Sequence, residues 1–171
     1  MRRVYAVLIA LAALAATSVP PAWAEVIFER RVGQWRLAVH TEPNSPAFSH
    51  CMIDTRYKSG TRLAFWMTYD DIFSMGMFDL PPDRAWAKVS KIHYRFDDHP
   101  PRIATETSNG ATHLIAKLPE DLDFMTQVND ARELRVTTDA GDLGFAMNDL
   151  RPAFEAMLAC LLEMSATRTK S

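Results

Sequence analysis

Methionine and histidine are the residues of this sequence whose types and spacing come closest to a recognisable chemistry. Several methionines fall in the stretch 52–77, and one histidine precedes the first of them by two positions. Thioether and imidazole groups suit Cu(I). Four residues are therefore candidate ligands of a copper site: His50, Met52, Met75 and Met77. Methionine is equally an adaptable filler of protein cores, so the alternative is that these side chains only pack.

The remaining polar residues show no spacing that is typical of an active site. The five histidines lack the spacing of a zinc site. The pairs Asp70-Asp71 and Asp97-Asp98 fall in predicted turns, where Asp is favoured for its turn geometry. No nucleophile elbow, phosphate-binding loop, dinucleotide fingerprint or His-Glu-x-x-His motif occurs. We therefore predict a protein that is not an enzyme and binds no cofactor. A hydrolase built from scattered residues stays open, and it would need a cleft where His, carboxylate and hydroxyl meet.

The two cysteines, Cys51 and Cys160, are the most specific pair in the chain. An even number of cysteines favours a disulfide in an oxidising compartment. The loop that this bond would close, of about 110 residues, is worth roughly 4–5 kcal/mol in the chain-entropy model. Two free buried thiols and an intermolecular bridge are the alternatives. A Cys-x-x-Cys redox motif is absent.

The segment 63–78 is apolar on both faces of its two predicted strands. Two interpretations follow. Either both faces are covered, with the C-terminal helix as one cover, or one face is exposed and meets a partner. The candidate residues of that partner surface are Trp66, Phe73, Met75 and Met77.

The elements that would position these residues are mostly short strands. Period-2 alternation predicts strands such as Trp35–His40, Phe48–Tyr57 and Trp86–Phe96. Asn109-Gly110 predicts a hairpin turn. A short helix is predicted over Pro119–Asn129, and helical spacing predicts a C-terminal helix with an apolar stripe. The stripe consists of Leu150, Phe154, Met157, Leu158 and Leu161. The predicted fold is mainly β, an antiparallel β-sandwich or open barrel, with this helix tethered by the disulfide.

The first 24 residues have the layout of a cleaved signal peptide. Arg2 and Arg3 precede an uncharged apolar stretch, and small residues at 22 and 24 suit cleavage after Ala24. The apolar stretch is too short to span a bilayer. We expect a single domain over 25–165, a frayed tail over 166–171, and a location in the periplasm or outside the cell. No transmembrane segment is expected after cleavage.

Composition narrows the class of partner. The net charge is −2, and 48% of the residues are hydrophobic. Nucleic-acid binders usually carry a basic excess, so no nucleic-acid partner is predicted.

The order of these parts resembles the small exported bacterial proteins of the invasion-associated locus B type. That pattern has an early strand with a Trp, here Trp35, then a Cys, here Cys51, and a hydrophobic central hairpin. It ends in Phe-x-Leu-x-Gly-Ser-x-x-Ala-Leu-x-x-Leu-x-x-Cys. Here the ending runs from Phe145 to Cys160, with Asp149 and Leu150 in place of Gly-Ser. The resemblance implies a periplasmic or secreted β-rich domain with a disulfide, and it supplies no catalytic residues.

The function these observations favour is that of an exported, non-enzymatic binding or accessory protein of the cell envelope. Its partner would be another envelope protein or a host protein. The alternative is a periplasmic copper-handling protein that uses the methionine and histidine ligands.

Overall fold

The computed structural model describes residues 25–104 and 106–168. The predicted signal peptide lies outside the described residues. The elements, in chain order, are β1 (Val26–Val32), β2 (Trp35–Thr41), β3 (Phe48–Arg56), β4 (Arg62–Thr68), β5 (Phe73–Phe78), a short 3-10 helix (Trp86–Lys88), β6 (His93–Phe96), β7 (Arg102–Ile103), β8 (Thr107–Gly110), β9 (His113–Lys117), α1 (Leu122–Asp130), β10 (Glu133–Thr138), β11 (Gly141–Ala146) and α2 (Leu150–Arg168).

The strands form two antiparallel sheets. The larger has seven strands in the order β1-β2-β3-β4-β5-β9-β8, and the smaller has four in the order β11-β10-β6-β7. Neither sheet closes into a barrel within the described chain. The predicted fold class is confirmed: the protein is mainly β, with two antiparallel sheets, a C-terminal helix and a disulfide.

Alternation along the strands divides the seven-stranded sheet into a covered face and an open face. The cross-strand row Leu37, Ile53, Phe65, Met75 points to the covered face, and all four side chains are buried. The four-stranded sheet, α1 and α2 form a second layer over that face. The Phe96 ring of β6 lies 6.4 Å from the Phe65 ring of β4, measured between centroids. The core therefore lies between the large sheet and this layer.

Helix α2 is held to the covered face by both packing and a covalent bond. Its Phe154 ring meets Phe73 edge-on at 5.6 Å, and Met157 and Leu161 are buried beside it. Cys160 is bonded to Cys51 of β3, with 6.3 Å between their Cα atoms. This separation is inside the usual range for a disulfide. The predicted disulfide and its place between the helix and the Cys51 strand are confirmed.

Two predicted elements differ in the structure. Trp86–Phe96 is not one strand, because only His93–Phe96 is extended and Trp86 lies in the 3-10 helix. The Trp86 indole is buried and donates a hydrogen bond to the Pro81 carbonyl at 2.7 Å, which holds this turn close to the preceding prolines. The apolar residues Trp86, Val89 and Ile92 are buried without forming a strand, so their alternation did not indicate extended structure.

The Asn-Gly pair lies inside a strand and not in a turn. Asn109 and Gly110 belong to β8, and the chain reverses at residues 111–112. The Asn109 amide donates a hydrogen bond to the Val89 carbonyl at 2.8 Å, so this side chain links β8 to the residue that follows the 3-10 helix. Helix α1 also begins later than predicted, because Asp121 caps it by accepting a hydrogen bond from the Phe124 amide.

The C-terminal helix runs to Arg168, three residues into the segment predicted as a tail. None of the helices in the described ranges is long and apolar enough to cross a membrane.

Removing the disulfide should destabilise the protein without unfolding its sheets. Cys160→Ser opens a loop with a sequence separation of 109 residues, and the chain-entropy model predicts a loss of roughly 4–5 kcal/mol in the free energy of unfolding. The strands keep their hydrogen bonds, so the far-ultraviolet circular dichroism spectrum of the sheet should persist. Thermal unfolding of this variant, with Cys51→Ser as its matched partner, checks the prediction. An unchanged melting temperature in both variants would contradict it.

Candidate functional site

The open face of the seven-stranded sheet is the largest surface that the second layer leaves uncovered. Its side chains come from alternate positions of the same strands that build the core. One cross-strand row runs through Ala38, Met52, Trp66 and Ser74, and the next through Arg36, Asp54, Ala64 and Gly76. A third row pairs Arg56, Arg62, Phe78 and His113. The face therefore combines aromatic, cationic and small residues.

Aromatic rings form the centre of this face. Trp66 and Phe78 are half-buried, with ring centroids 6.5 Å apart, and Phe78 also stacks on His113 at 6.3 Å. The guanidinium of Arg62 lies 4.7 Å above the Phe78 ring, a favourable cation–π distance. We call Trp66, Phe78, His113 and Arg62 the aromatic centre.

Gly76 makes room for these rings. A Cβ atom at position 76 would lie 2.5 Å from the Phe78 ring and 2.8 Å from the Trp66 ring. With no side chain at this position, both rings lie down against the backbone of β5. The aromatic centre is consequently shallow and lies close to the sheet.

A pair of stacked histidines lies at one end of the open face. His40 and His50 are cross-strand partners whose rings are 4.6 Å apart and nearly parallel. Burial lowers the pKa of His50 to about 4, and the neighbouring His40 ring adds to this effect. Burial, together with the Arg36 cation, also lowers the pKa of His40. Ser49 Oγ and His50 Nδ1 are hydrogen-bonded at 3.0 Å. At neutral pH both rings are uncharged.

An ion pair joins β2 to β3 on the open face. Arg36 donates two hydrogen bonds to Asp54 Oδ2, from Nε at 3.0 Å and from Nη2 at 2.8 Å. Its Nη1 donates to Glu29 at 3.2 Å. These bonds, with Asp54 the largest cause, raise the pKa of Arg36 above its ordinary value. Asp54 is buried, and its Oδ2 accepts both of these bonds from the Arg36 guanidinium.

The structure does not bring the four candidate copper ligands together. His50 and Met52 point to the open face, whereas Met75 and Met77 are fully buried on the covered face. The backbone of the sheet lies between the two pairs, so they cannot share one ion. No cluster of three or more His, Cys, Asp or Glu side chains suited to a metal occurs among the described residues. The copper hypothesis is unsupported.

Of the four residues predicted as a partner surface, only Trp66 is accessible. Phe73, Met75 and Met77 have no exposed area, because α2 and the smaller sheet cover them. The hairpin is thus covered on one face and open on the other. Sequence reasoning placed the candidate surface on the wrong side of β5.

The residues of the open face that were missed as site candidates include His40, Arg62, Gly76, Phe78 and His113. A usable signal was present. Cys51 and Phe65 lie on the face that the disulfide-linked helix must cover, and alternation from there assigns Trp66 to the opposite face. A glycine between two apolar residues of a strand, as at Gly76, also indicates close approach of another group.

Comparison with known proteins gives one informative result. No protein-family model matches the chain, and no curated protein is similar to it in sequence. A solved structure, the crystal structure of invasion associated protein B from Bartonella henselae, has a similar fold, with a TM-score of 0.59 over 80% of this chain and 98% of that one. The sequence identity is 12%, so the likeness concerns the fold alone. It agrees with the resemblance drawn from the sequence.

Gly76→Ala should lift the aromatic rings from the sheet. Trp35 and Trp86 are fully buried, so in protein that begins at Glu25 quenching by acrylamide reports on Trp66. We expect greater quenching in the variant, with a change in the free energy of unfolding within about 1 kcal/mol, because alanine suits a strand better than glycine and offsets the displacement. Gly144→Ala is the control, since a Cβ atom at that position would meet nothing within 4 Å. Equal quenching in both variants would contradict the prediction.

The buried histidine should make stability fall with acidification. The unfolded chain binds a proton at His50 near pH 6.5, whereas the folded protein does so only near pH 4. The stability contribution is therefore complete above pH 6.5 and is lost as the pH falls towards 4, with a magnitude on the order of 2–3 kcal/mol. Urea unfolding across this window should show a shallower loss for His50→Gln. His99→Gln, in an exposed turn, should follow the unchanged protein; a parallel profile for His50→Gln would show that the shift is absent.

Proposed function

We propose that this protein is an exported accessory protein of the cell envelope that works by binding another protein through its open sheet face. The observation that carries the proposal is the aromatic centre, where Trp66 and Phe78 remain accessible on a sheet whose other face is fully covered. Buried aromatic contacts ringed by polar residues are typical of the energetic centre of protein interfaces.

Export is supported by the disulfide and by the N-terminal sequence. Disulfides persist in oxidising compartments and are rare in reducing ones, and this protein has one between Cys51 and Cys160. The fold shared with invasion associated protein B of Bartonella henselae is in keeping with this location. The proposed compartment is the periplasm or the exterior.

The charges around the aromatic centre favour an acidic partner. Arg31 and Arg62 of the open face have no carboxylate partner among the described residues. The other cations of this face are paired: Arg36 with Glu29 and Asp54, Arg56 with Asp79, and Lys117 with Glu106 and Glu120. These two guanidinium groups, of Arg31 and Arg62, leave positive charge on the open face, although the chain carries a net charge of −2. We propose a protein partner that places an apolar side chain against Trp66 and carboxylates against the surrounding cations.

The proposal of binding without catalysis rests on how the titratable groups are used. Asp54 is held by Arg36, and His50 is stacked on His40 and bonded to Ser49. Asp54 and His50 are thus bonded to neighbouring side chains within a shallow surface. They stabilise the surface and shape its charge.

Site-specific photo-crosslinking in the producing cells tests the proposed function. Benzoylphenylalanine at Ile115, which is paired with Gly76 beside the aromatic centre, should give one defined protein adduct. The same group at Leu122, a strongly exposed residue of α1 in the other layer, should not give it. Adding Trp66→Ala or Arg62→Glu to the Ile115 variant should reduce the adduct several-fold, because the first removes the apolar anchor and the second repels carboxylates.

The result that would overturn the proposal is equally specific. An absent adduct at position 115, the same adducts from positions 115 and 122, or a yield that Trp66→Ala leaves unchanged would each exclude this face as the binding surface. Melting temperatures serve as the control for folding. We expect all variants to be folded, since the substituted side chains point away from the core.

A further inference from the structure

A concavity of about 600 Å³ lies at the end of the open face, beside the turn that joins β1 to β2. Four arginines line its walls. The basic and amide side chains that line it are Arg31, Gln34, Arg36, Arg56 and Arg62. We call this group the arginine corner.

Two of its guanidinium groups are already neutralised. Arg36 is bonded to Asp54 and Glu29, and Arg56 donates to Asp79 at 2.7 Å. Arg31 and Arg62, in contrast, form no ion pair with any carboxylate of the described residues. The only acidic side chain in the wall, Asp54, forms an ion pair with Arg36. The arginine corner therefore keeps two positive charges without counter-charges.

The corner also contains hydrogen-bond donors without acceptors. The Nε–H of Arg62 and the side-chain amide nitrogen of Gln34 are buried, and neither has a partner within the described chain. Buried donors are nearly always paired in folded proteins, since an unpaired one has lost its bonds to water. Donors and uncompensated positive charge thus coincide in one concavity, on two different elements: β4 for Arg62 and the β1–β2 turn for Gln34.

We propose that the arginine corner is a binding site for a single oxyanion, a phosphate or a carboxylate group. Arg31 and Arg62 would supply the two charges, and the Gln34 amide a further donor. The planar guanidinium fork matches the spacing of oxygens in both groups. Arg36 is already paired with Asp54 and Glu29, so it is not counted among the two charges. Arg31 and Arg62 belong to the same open face, but binding of a free oxyanion does not require the proposed protein partner.

Isothermal titration of the protein that begins at Glu25 tests the proposal with two probes, inorganic phosphate and acetate, against chloride at matched ionic strength. We expect saturable one-to-one binding of at least one probe. Phosphate alone would indicate a tetrahedral oxyanion, and acetate alone a carboxylate; both results support the site. Arg31→Gln and Arg62→Gln should each weaken the affinity roughly tenfold or more, as expected for the loss of a charge-assisted bond.

Arg30→Gln is the matched control, because Arg30 is the neighbour of Arg31 on the same strand but points to the other face. It removes the same charge and should leave the affinity nearly unchanged. Arg62→Lys keeps the charge and loses the fork and the Nε donor, so it should bind more weakly than the unchanged protein. Absence of saturable binding by both probes, or an equal loss in Arg30→Gln and Arg31→Gln, would overturn the proposal. The melting temperature of each variant is measured as the control for folding.

Discussion

The bond between Cys51 and Cys160 joins β3 of the larger sheet to the C-terminal helix, and it decides which face of that sheet is covered. Cys51 points to the same side as its cross-strand partner Met67, which in turn pairs with Phe73. A helix attached to Cys51 must therefore lie over that side. Burial of Phe154 and Met157 then stabilises the same placement. Packing and covalent constraint agree, and the second face is left open as a consequence.

An open sheet face without a covering layer needs side chains that satisfy one another. Here small residues such as Ala64 and Gly76 alternate with rings that lie flat over them, so backbone and ring share the burial. Asp54, buried in the same region, is matched by the guanidinium of Arg36. The face is thereby ordered without a second layer, and it keeps Trp66 and Phe78 accessible. A preorganised surface of this kind loses little conformational entropy on binding.

Alternation and helical spacing predicted most of the strands, the terminal helix and the disulfide, because these depend on local pattern and on one pair of cysteines. The face of the 63–78 hairpin could not be assigned from its own alternation without the reference face that Cys51 provides, since Trp66 and Phe65, or Phe78 and Met77, are apolar neighbours on opposite sides. Only long-range register distinguishes them. The region 86–92 and the Asn109-Gly110 pair were mispredicted because the Trp86 indole and the Asn109 amide bond to the carbonyl groups of Pro81 and Val89, contacts that strand alternation and turn propensity do not encode.

The charge on the open face is distributed unevenly along the strands. Burial lowers the pKa of His40 and His50, so at neutral pH these two side chains add no charge to their end of the open face. The aromatic centre follows and includes Arg62, and the second cation without a carboxylate partner, Arg31, lies on the edge strand β1. A partner would therefore meet one apolar contact that is insensitive to salt and one electrostatic contact that is screened by it. Because the rings and the cations are fixed on the same rigid strands, the distance between the two contacts is built into the sheet, and this fixed spacing is the feature through which such a surface can discriminate between partners.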